Sequence, residues 1–174
     1  MAVADISTSF DRKKIDEYKS LVLNPFLFRA GLIKNLPLAA PTGVKISVLN
    51  DASCEVTVPY KFLNKNPFNT TYWAVLGMAA EMASGALLLM YTHKLQPSVS
   101  TFVIGCEAKF IKRAVGLTTF KCTLGHEIAA KVLETCETFE GVEIDCITPA
   151  YNEAGELIAE FSFKWGIKAR KPKK

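Results

Sequence analysis

The sequence predicts an α+β fold in which an antiparallel sheet of about six strands curls round one long helix, with two extra helices at the N-terminus. Three observations predict it. Apolar and polar residues alternate in runs on both sides of the chain's middle, the period of half-buried strands. Between them lie eighteen residues, 73–90, with one charge (Glu81), one hydroxyl (Ser84) and otherwise only apolar residues and glycine. A helix apolar on every side needs protein on every side, and no other segment is apolar enough to cover the sheet.

The elements follow in order. Residues 10–20 read as a helix capped by Ser9, with Phe10, Tyr18, Leu21 and Val22 on one face. Asn24-Pro25 opens a second helix, since Asn caps and Pro suits the first helical position. It runs through Phe26, Phe28 and Leu32 to Leu36-Pro37, and Pro37, Pro41 and Gly43 mark a linker. Val44, Ile46 and Val48, a turn at Asn50-Asp51, then Cys54, Val56 and Val58 form a hairpin. After the polar loop 61–71 and the apolar helix, Phe102, Ile104, Cys106, Ala108 and Phe110 alternate along one strand. Residues 117–123 return as another, and 126–137 form a helix with Ile128, Val132, Leu133 and Cys136 on one side. A last hairpin turns at Asn152-Glu153-Ala154-Gly155 and places Leu157, Ala159, Phe161, Phe163 and Trp165 on one face. The chain divides into a helical extension (1–40), a main domain (41–168) and a basic tail (169–174).

Composition narrows the function classes. A length of 174 residues, 49% hydrophobic and 22% charged, suits one globular domain. The mean hydropathy of +0.17 is high for a soluble monomer and points to apolar surface covered by a partner. Much of the net charge of +4 sits in the tail, which lacks interleaved aromatics, so a solvated terminus is expected and nucleic acid is not. Residues 73–90 raise a membrane reading, but a carboxylate near the centre of a span costs about 3 kcal/mol, and the flanking strands offer a cheaper home. The five cysteines are odd in number and without a Cys-x-x-Cys. Cys106, Cys122 and Cys146 share registers with apolar residues and read as small core hydrophobes in a reducing compartment. No basic, then apolar, leader opens the sequence, so a cytoplasmic protein is expected. Neither His93 nor His126 has partners at ligand spacing, so no metal is expected; His93 and Lys94 complement the long helix's C-terminal dipole. Nucleotide-binding glycine loops and a Gly-x-Ser-x-Gly elbow are absent.

Glu81 stands out. Gly77 lies one turn before it, Ser84 and Gly85 one turn after, and Leu88 continues the stripe. This face has little side-chain bulk, so a substrate or a second backbone has room to approach the carboxylate. The alternative is a small-residue helix contact with Glu81 paired to a Lys or Arg, and the pattern leaves both open.

Residues Asn66-Pro67-Phe68-Asn69-Thr70-Thr71-Tyr72-Trp73-Ala74, running into Ala79-Ala80-Glu81-Met82-Ala83-Ser84-Gly85, resemble the loop and central helix of hotdog-fold thioesterases. The nearest resemblance is to an uncharacterised branch related to phenylacetyl-CoA-type thioesterases. Better-known members carry His-Gly-Gly at the helix start and an Asp or Glu about nine residues later. Here Tyr72 stands nine residues before Glu81 in the place of the His, and Trp73-Ala74 replace the glycines. Lys109-Phe110-Ile111-Lys112-Arg113-Ala114 resembles the strand end that lies near CoA in relatives, and Tyr151 to Trp165 resembles their last hairpin.

The resemblance spans 44–168 and implies a hotdog fold, a homodimer with shared active sites and hydrolysis of an acyl-CoA, with CoA entering only as part of the substrate. It implies Glu81 as the group that activates water or attacks the thioester, and the amides of Thr71, Tyr72 and Trp73 as donors to the carbonyl oxygen. Asn66 or Asn69 would orient the water or cap the helix, and Gly77 and Gly85 would admit the substrate. Lys109, Lys112 and Arg113 would meet the CoA phosphates. The rival readings are a hydratase or dehydratase on the same fold, which generally needs a His in the site, and a non-catalytic acyl- or acyl-CoA-binding dimer, favoured by the missing glycines. Acyl identity, and whether dimers pair into tetramers, stay open.

Overall fold

A computed structural model describes residues 9–171. The expectations for the first residues and for the end of the basic tail concern 1–8 and 172–174 and lie outside the described residues. The elements are α1 (Arg12–Leu23), α2 (Pro25–Asn35), β1 (Lys45–Leu49), β2 (Cys54–Pro59), α3 (Trp73–Thr92), β3 (Val99–Phe110), β4 (Leu117–Cys122), α4 (Gly125–Thr138), β5 (Val142–Tyr151) and β6 (Leu157–Ala169). The six strands form one sheet in the order β1-β2-β4-β5-β6-β3, antiparallel throughout. The sheet wraps α3, which is the hotdog architecture.

Local chemistry sets the element ends. The Asp11 carboxylate accepts the Lys13 amide at 3.0 Å and caps α1, so this helix starts two residues after the expected position and Ser9 lies ahead of it. Asn24 caps α2 as expected, its Oδ1 accepting the amides of Phe26 and Leu27 at 3.0 and 3.2 Å, with Pro25 at the first helical position. Asn50 Oδ1 accepts the amides of Ala52 and Ser53 and closes the β1–β2 turn. Several elements converge on that turn. The Tyr91 hydroxyl donates to the Asp51 carbonyl at 2.7 Å, and Arg12 and Lys19 reach the Asp51 carboxylate at 2.6 and 2.5 Å. The Gly125 amide donates to the Ala52 carbonyl, and a Cβ at residue 125 would sit 2.1 Å from the Asp51 oxygen, so only glycine allows α4 to start there.

The core is the concave side of the sheet closed on α3. Ala79, Ala80, Ala83, Leu87 and Leu88 of the helix are buried, as are Val56, Val58, Phe120, Phe161 and Ile167 on the strands. This helix is long and apolar enough to cross a membrane, but its own sheet takes the place of lipid. Inside, Trp165 Nε1 donates to Ser84 Oγ at 3.0 Å, and Ser84 Oγ donates to the Glu81 carbonyl at 3.1 Å. The bond satisfies the one polar atom of a large buried ring.

Two edge strands depart from the expected alternation. In β1 a register shift between Ile46 and Val48 leaves Val48 exposed and turns Leu49 inward. In β3 a shift between Val103 and Gly105 divides the expected single stripe in two. Phe102 and Ile104 lie over Gly166 on the outer face, while Cys106, Ala108 and Phe110 pair with Phe163, Phe161 and Ala159 on the inner face. A bulge adds one residue on one strand and so flips the faces beyond it. Cys106 is nevertheless exposed, against the expectation of a core thiol, because α3 packs on the other five strands and leaves the inner side of β3 uncovered. Cys122 and Cys146 are buried as expected, and all five cysteines are free thiols.

The N-terminal extension is stitched to the far end of α3. Phe10 packs on Tyr91 with ring centroids 4.8 Å apart, Tyr18 on His93 at 5.5 Å, Lys14 Nζ donates to the Lys94 carbonyl, and Lys94 pairs with Glu17. His93 and Lys94, just beyond the last turn of α3, therefore serve as docking points for α1. Phe10, Ile15 and Leu32 join the core, whereas Leu21, expected on the apolar face of α1, is exposed.

Ser84→Ala should leave the buried indole N–H without an acceptor and destabilise the fold by about 1–3 kcal/mol. Urea unfolding followed by circular dichroism, with an unchanged slope, measures it.

Candidate functional site

The loop before α3 is built by its own side chains. Asn66 Oδ1 accepts the amides of Phe68 and Thr70 at 3.0 and 3.2 Å, and Asn66 Nδ2 donates to Thr70 Oγ1 at 2.8 Å. Asn69 takes a left-handed conformation (φ 56°), which asparagine tolerates better than most residues. Neither caps α3: the residue at that position is Tyr72, and its side chain makes no cap bond.

This geometry corrects the expected set of amide donors. The Thr71 amide donates to the Ala114 carbonyl at 2.8 Å, and the Tyr72 amide to the Asn64 carbonyl at 2.6 Å. A backbone amide has one hydrogen, so these two have none to offer. Among the described residues the amides of Trp73 and Ala74 have no acceptor, because they occupy the first helical positions where no turn precedes them. Trp73 thus stays in the expected set, Ala74 joins it, and Thr71 and Tyr72 leave it as amide donors. Thr71 keeps another polar group, its buried Oγ1, which has no partner.

These residues open on a cleft of about 460 Å³ lined by Asn66, Thr71, Trp73, Leu76, Phe110, Lys112 and Arg113 among others. The two basic residues are held differently. Lys112 Nζ pairs with Glu156 Oε1 at 2.6 Å, while Arg113 Nη2 donates to the Phe68 carbonyl at 2.5 Å and has no counter-ion among the described residues. Lys109 is outside the cleft: it points to the outer face of β3, opposite Glu160.

Glu81 lies farther along α3. Residues 73, 77, 81, 85 and 89, one per turn, form the seam of the helix that the sheet leaves least covered, and Trp73, Glu81 and Leu89 are exposed on it. The glycines of this seam do not face empty space, since Gly77 lies under the Phe161 ring and Gly85 under Trp165. Their missing side chains let two large rings approach the helix. Among the described residues of the single chain Glu81 has no ion pair. Partial burial raises its carboxyl above the ordinary carboxylate range. Partial burial also raises the Cys106 thiol on β3, and the nearby Glu81 charge adds to it.

A second cavity, of about 550 Å³, lies beside Glu81 between α3 and the N-terminal extension. It shares no residue with the first cleft. The expected site is therefore in two parts within one chain: Asn66, Thr71, Trp73, Lys112 and Arg113 at the helix start, and Glu81 with Gly85 beside the second cavity. The eight residues of α-helix from Trp73 to Glu81 rise about 12 Å, which accounts for the gap. No cluster of three or more His, Cys, Asp or Glu side chains able to hold a metal occurs among the described residues.

Residues 26–167 match a family model described as a domain of unknown function, DUF4442. No curated protein matches the sequence. Among solved structures, a Pseudomonas aeruginosa protein of unknown function, described as a probable thioesterase, superposes with a TM-score of 0.71 at 19% identity, over 84% of this chain and 97% of that one. A Chlorobaculum tepidum protein of unknown function gives 0.70 at 19% identity, over 86% and 99%. A thioesterase from Haemophilus influenzae gives 0.58 at 13% identity, over 80% and 88%.

Glu81→Gln removes an unpaired, partly desolvated charge, so the melting temperature at neutral pH should hold or rise. The folded-state pKa is raised, so protonation favours the fold and the wild type should gain on the variant as pH falls through that raised value towards about 4.3. Calorimetric scans across this range check the sign, and a variant less stable at neutral pH would reveal an ion pair.

Proposed function

The chain belongs to the DUF4442 family, and we propose that it is a cytoplasmic acyl-CoA thioesterase that works as a homodimer. The observation that carries this is Glu81: an unpaired carboxylate with a raised pKa on the open seam of a helix whose first amides are free beside a basic cleft. A raised pKa suits a general base. The rise of about 11–12 Å from the Trp73 and Ala74 amides to Glu81 on the same helix favours donors from a second copy, with its α3 alongside in the opposite direction. The uncovered inner side of β3, with exposed Phe110 and Cys106, and the exposed Trp73 are the surfaces such a partner would cover.

In this reading the thioester carbonyl oxygen accepts hydrogen bonds from the Trp73 and Ala74 amides of one subunit, where the helix dipole favours developing negative charge. Glu81 of the other subunit takes a proton from water as the water oxygen bonds to the carbonyl carbon. The C–S bond then breaks, the oxyanion collapses to the acid, and the proton on Glu81 passes to the departing sulfur. Arg113, without a counter-ion among the described residues, is the main contact for CoA phosphates, with Lys112 secondary because Glu156 already neutralises it.

Incubation with a panel of acyl-CoAs and a thiol-reactive dye tests the activity. Thiol release supports it, whereas thermal stabilisation without turnover identifies an acyl-CoA-binding dimer and loss of an enoyl absorbance a hydratase. Glu81→Gln should lower kcat at least about a hundredfold. A mixed dimer of Glu81→Gln with Trp73→Pro, which removes one donor amide at a helix position that accepts proline, should regain one working site. The acid limb of the kcat/KM profile should fall above the ordinary carboxylate value of about 4.3.

Arg113→Ala should raise KM more than it lowers kcat, by a larger factor than Lys112→Ala, and added salt should mimic it. Light scattering that finds a fully active monomer would remove the dimer mechanism.

A further inference from the structure

We infer that the N-terminal extension makes the cavity beside Glu81 into a chamber for an unbranched medium- to long-chain fatty acyl group; this rests on the thioesterase reading and specifies its substrate class. Two elements face each other across this space. One wall is the open seam of α3, with Met78, Met82 and Leu89; the other is α2 and the segment after it, with Leu32, Leu36 and Leu38.

The chemistry of the walls selects the ligand. Leu32, Ala39, Ile46, Leu88 and Trp165 are buried and form the floor, while Leu36, Leu38 and Leu89 are exposed by 54%, 81% and 53% and form the lip. Three exposed leucines round one opening are unfavourable in water and fit an apolar occupant. The one carboxylate among the lining residues is Glu81, whose neighbours Met78 and Met82 are unbranched and adapt to a flexible chain. From Met78 to Leu89 the chamber follows α3 for about 16 Å, from eleven residues at 1.5 Å each. That length suits an extended chain better than a single aromatic ring. The roof is held by chemistry distant from the site: α1 is fixed to Asp51, His93 and Lys94, and Pro25 follows α1 after one residue, so α2 is carried into place over the helix. In the dimer, CoA would lie in the cleft of one subunit and the acyl tail in the chamber of the subunit that supplies Glu81.

Neutral 1-alkanols from hexanol to tetradecanol test the chamber without a thioester and without repulsion from Glu81. Their affinities are read by displacement of Nile red from the full-length protein. Affinity should rise about fourfold per methylene, as for full burial of each CH₂, and then level off. Met82→Trp, which fills the middle of the chamber, should move the plateau to a shorter alcohol. Leu36→Asp, on the exposed lip and therefore tolerated by the fold, should weaken the longer alcohols about fifteenfold, the loss of two buried methylenes, with an unchanged circular dichroism spectrum. Affinity independent of chain length, or wild-type binding by both variants, overturns the proposal. Chain-dependent alcohol binding with no acyl-CoA hydrolysis keeps the chamber and removes the thioesterase, whereas hydrolysis without chain-dependent binding does the reverse.

Discussion

Burial of α3 is the constraint on which the other features depend. A helix with one charge in its first eighteen residues cannot face water over much of its circumference, so the sheet must curl far enough to wrap it. Tight wrapping limits the side chains between helix and sheet. Alanines at 79, 80 and 83 and glycines at 77 and 85 let Phe161 and Trp165 lie close to the helix, and the Ser84 hydroxyl satisfies the indole nitrogen that this brings into the core. A sheet wrapped this closely still has an edge. The inner side of β3 and the start of the seam at Trp73 are what a single chain leaves uncovered, and in the proposed dimer a second copy covers both.

The same constraint prepares Glu81 chemically. An exposed glutamate on an ordinary surface helix is fully hydrated and commonly paired. Here the rings of the sheet and the methionines beside it remove part of the water and no cation among the described residues replaces it, so the proton is held more tightly. The donors at the helix start arise from a different physical source, the amides that an α-helix leaves unbonded in its first turn. The loop 64–71 uses two amides for its own construction and leaves the next two, so loop geometry decides which ones face the cleft.

The extension has a mechanical logic. Its bonds are to the C-terminal end of α3 and to the β1–β2 turn, the most cross-linked corner of the molecule, while α2 itself keeps only Leu32 fully buried. A helix held by its neighbours rather than by its own packing can shape an opening without closing it.

The sequence by itself determined the wrapped-helix architecture, because the apolar run of 73–90, the alternating strands and the Asn24-Pro25 and Asn152–Gly155 signals are local patterns with local physical causes. It also singled out Glu81 and the helix start, since one charge in an apolar run is visible without coordinates. Alternation could not reveal the bulges in β1 and β3, where one extra residue on an edge strand flips Val48 and separates Phe102 from Phe110. Nor could residue types show that the Thr71 and Tyr72 amides bond to Ala114 and Asn64, that Lys112 is neutralised by Glu156, or that Cys106 faces inward yet lies open. Those facts depend on which distant segments meet, and only tertiary packing decides that: the chamber wall comes from residues 32–39, some forty residues before the carboxylate they face.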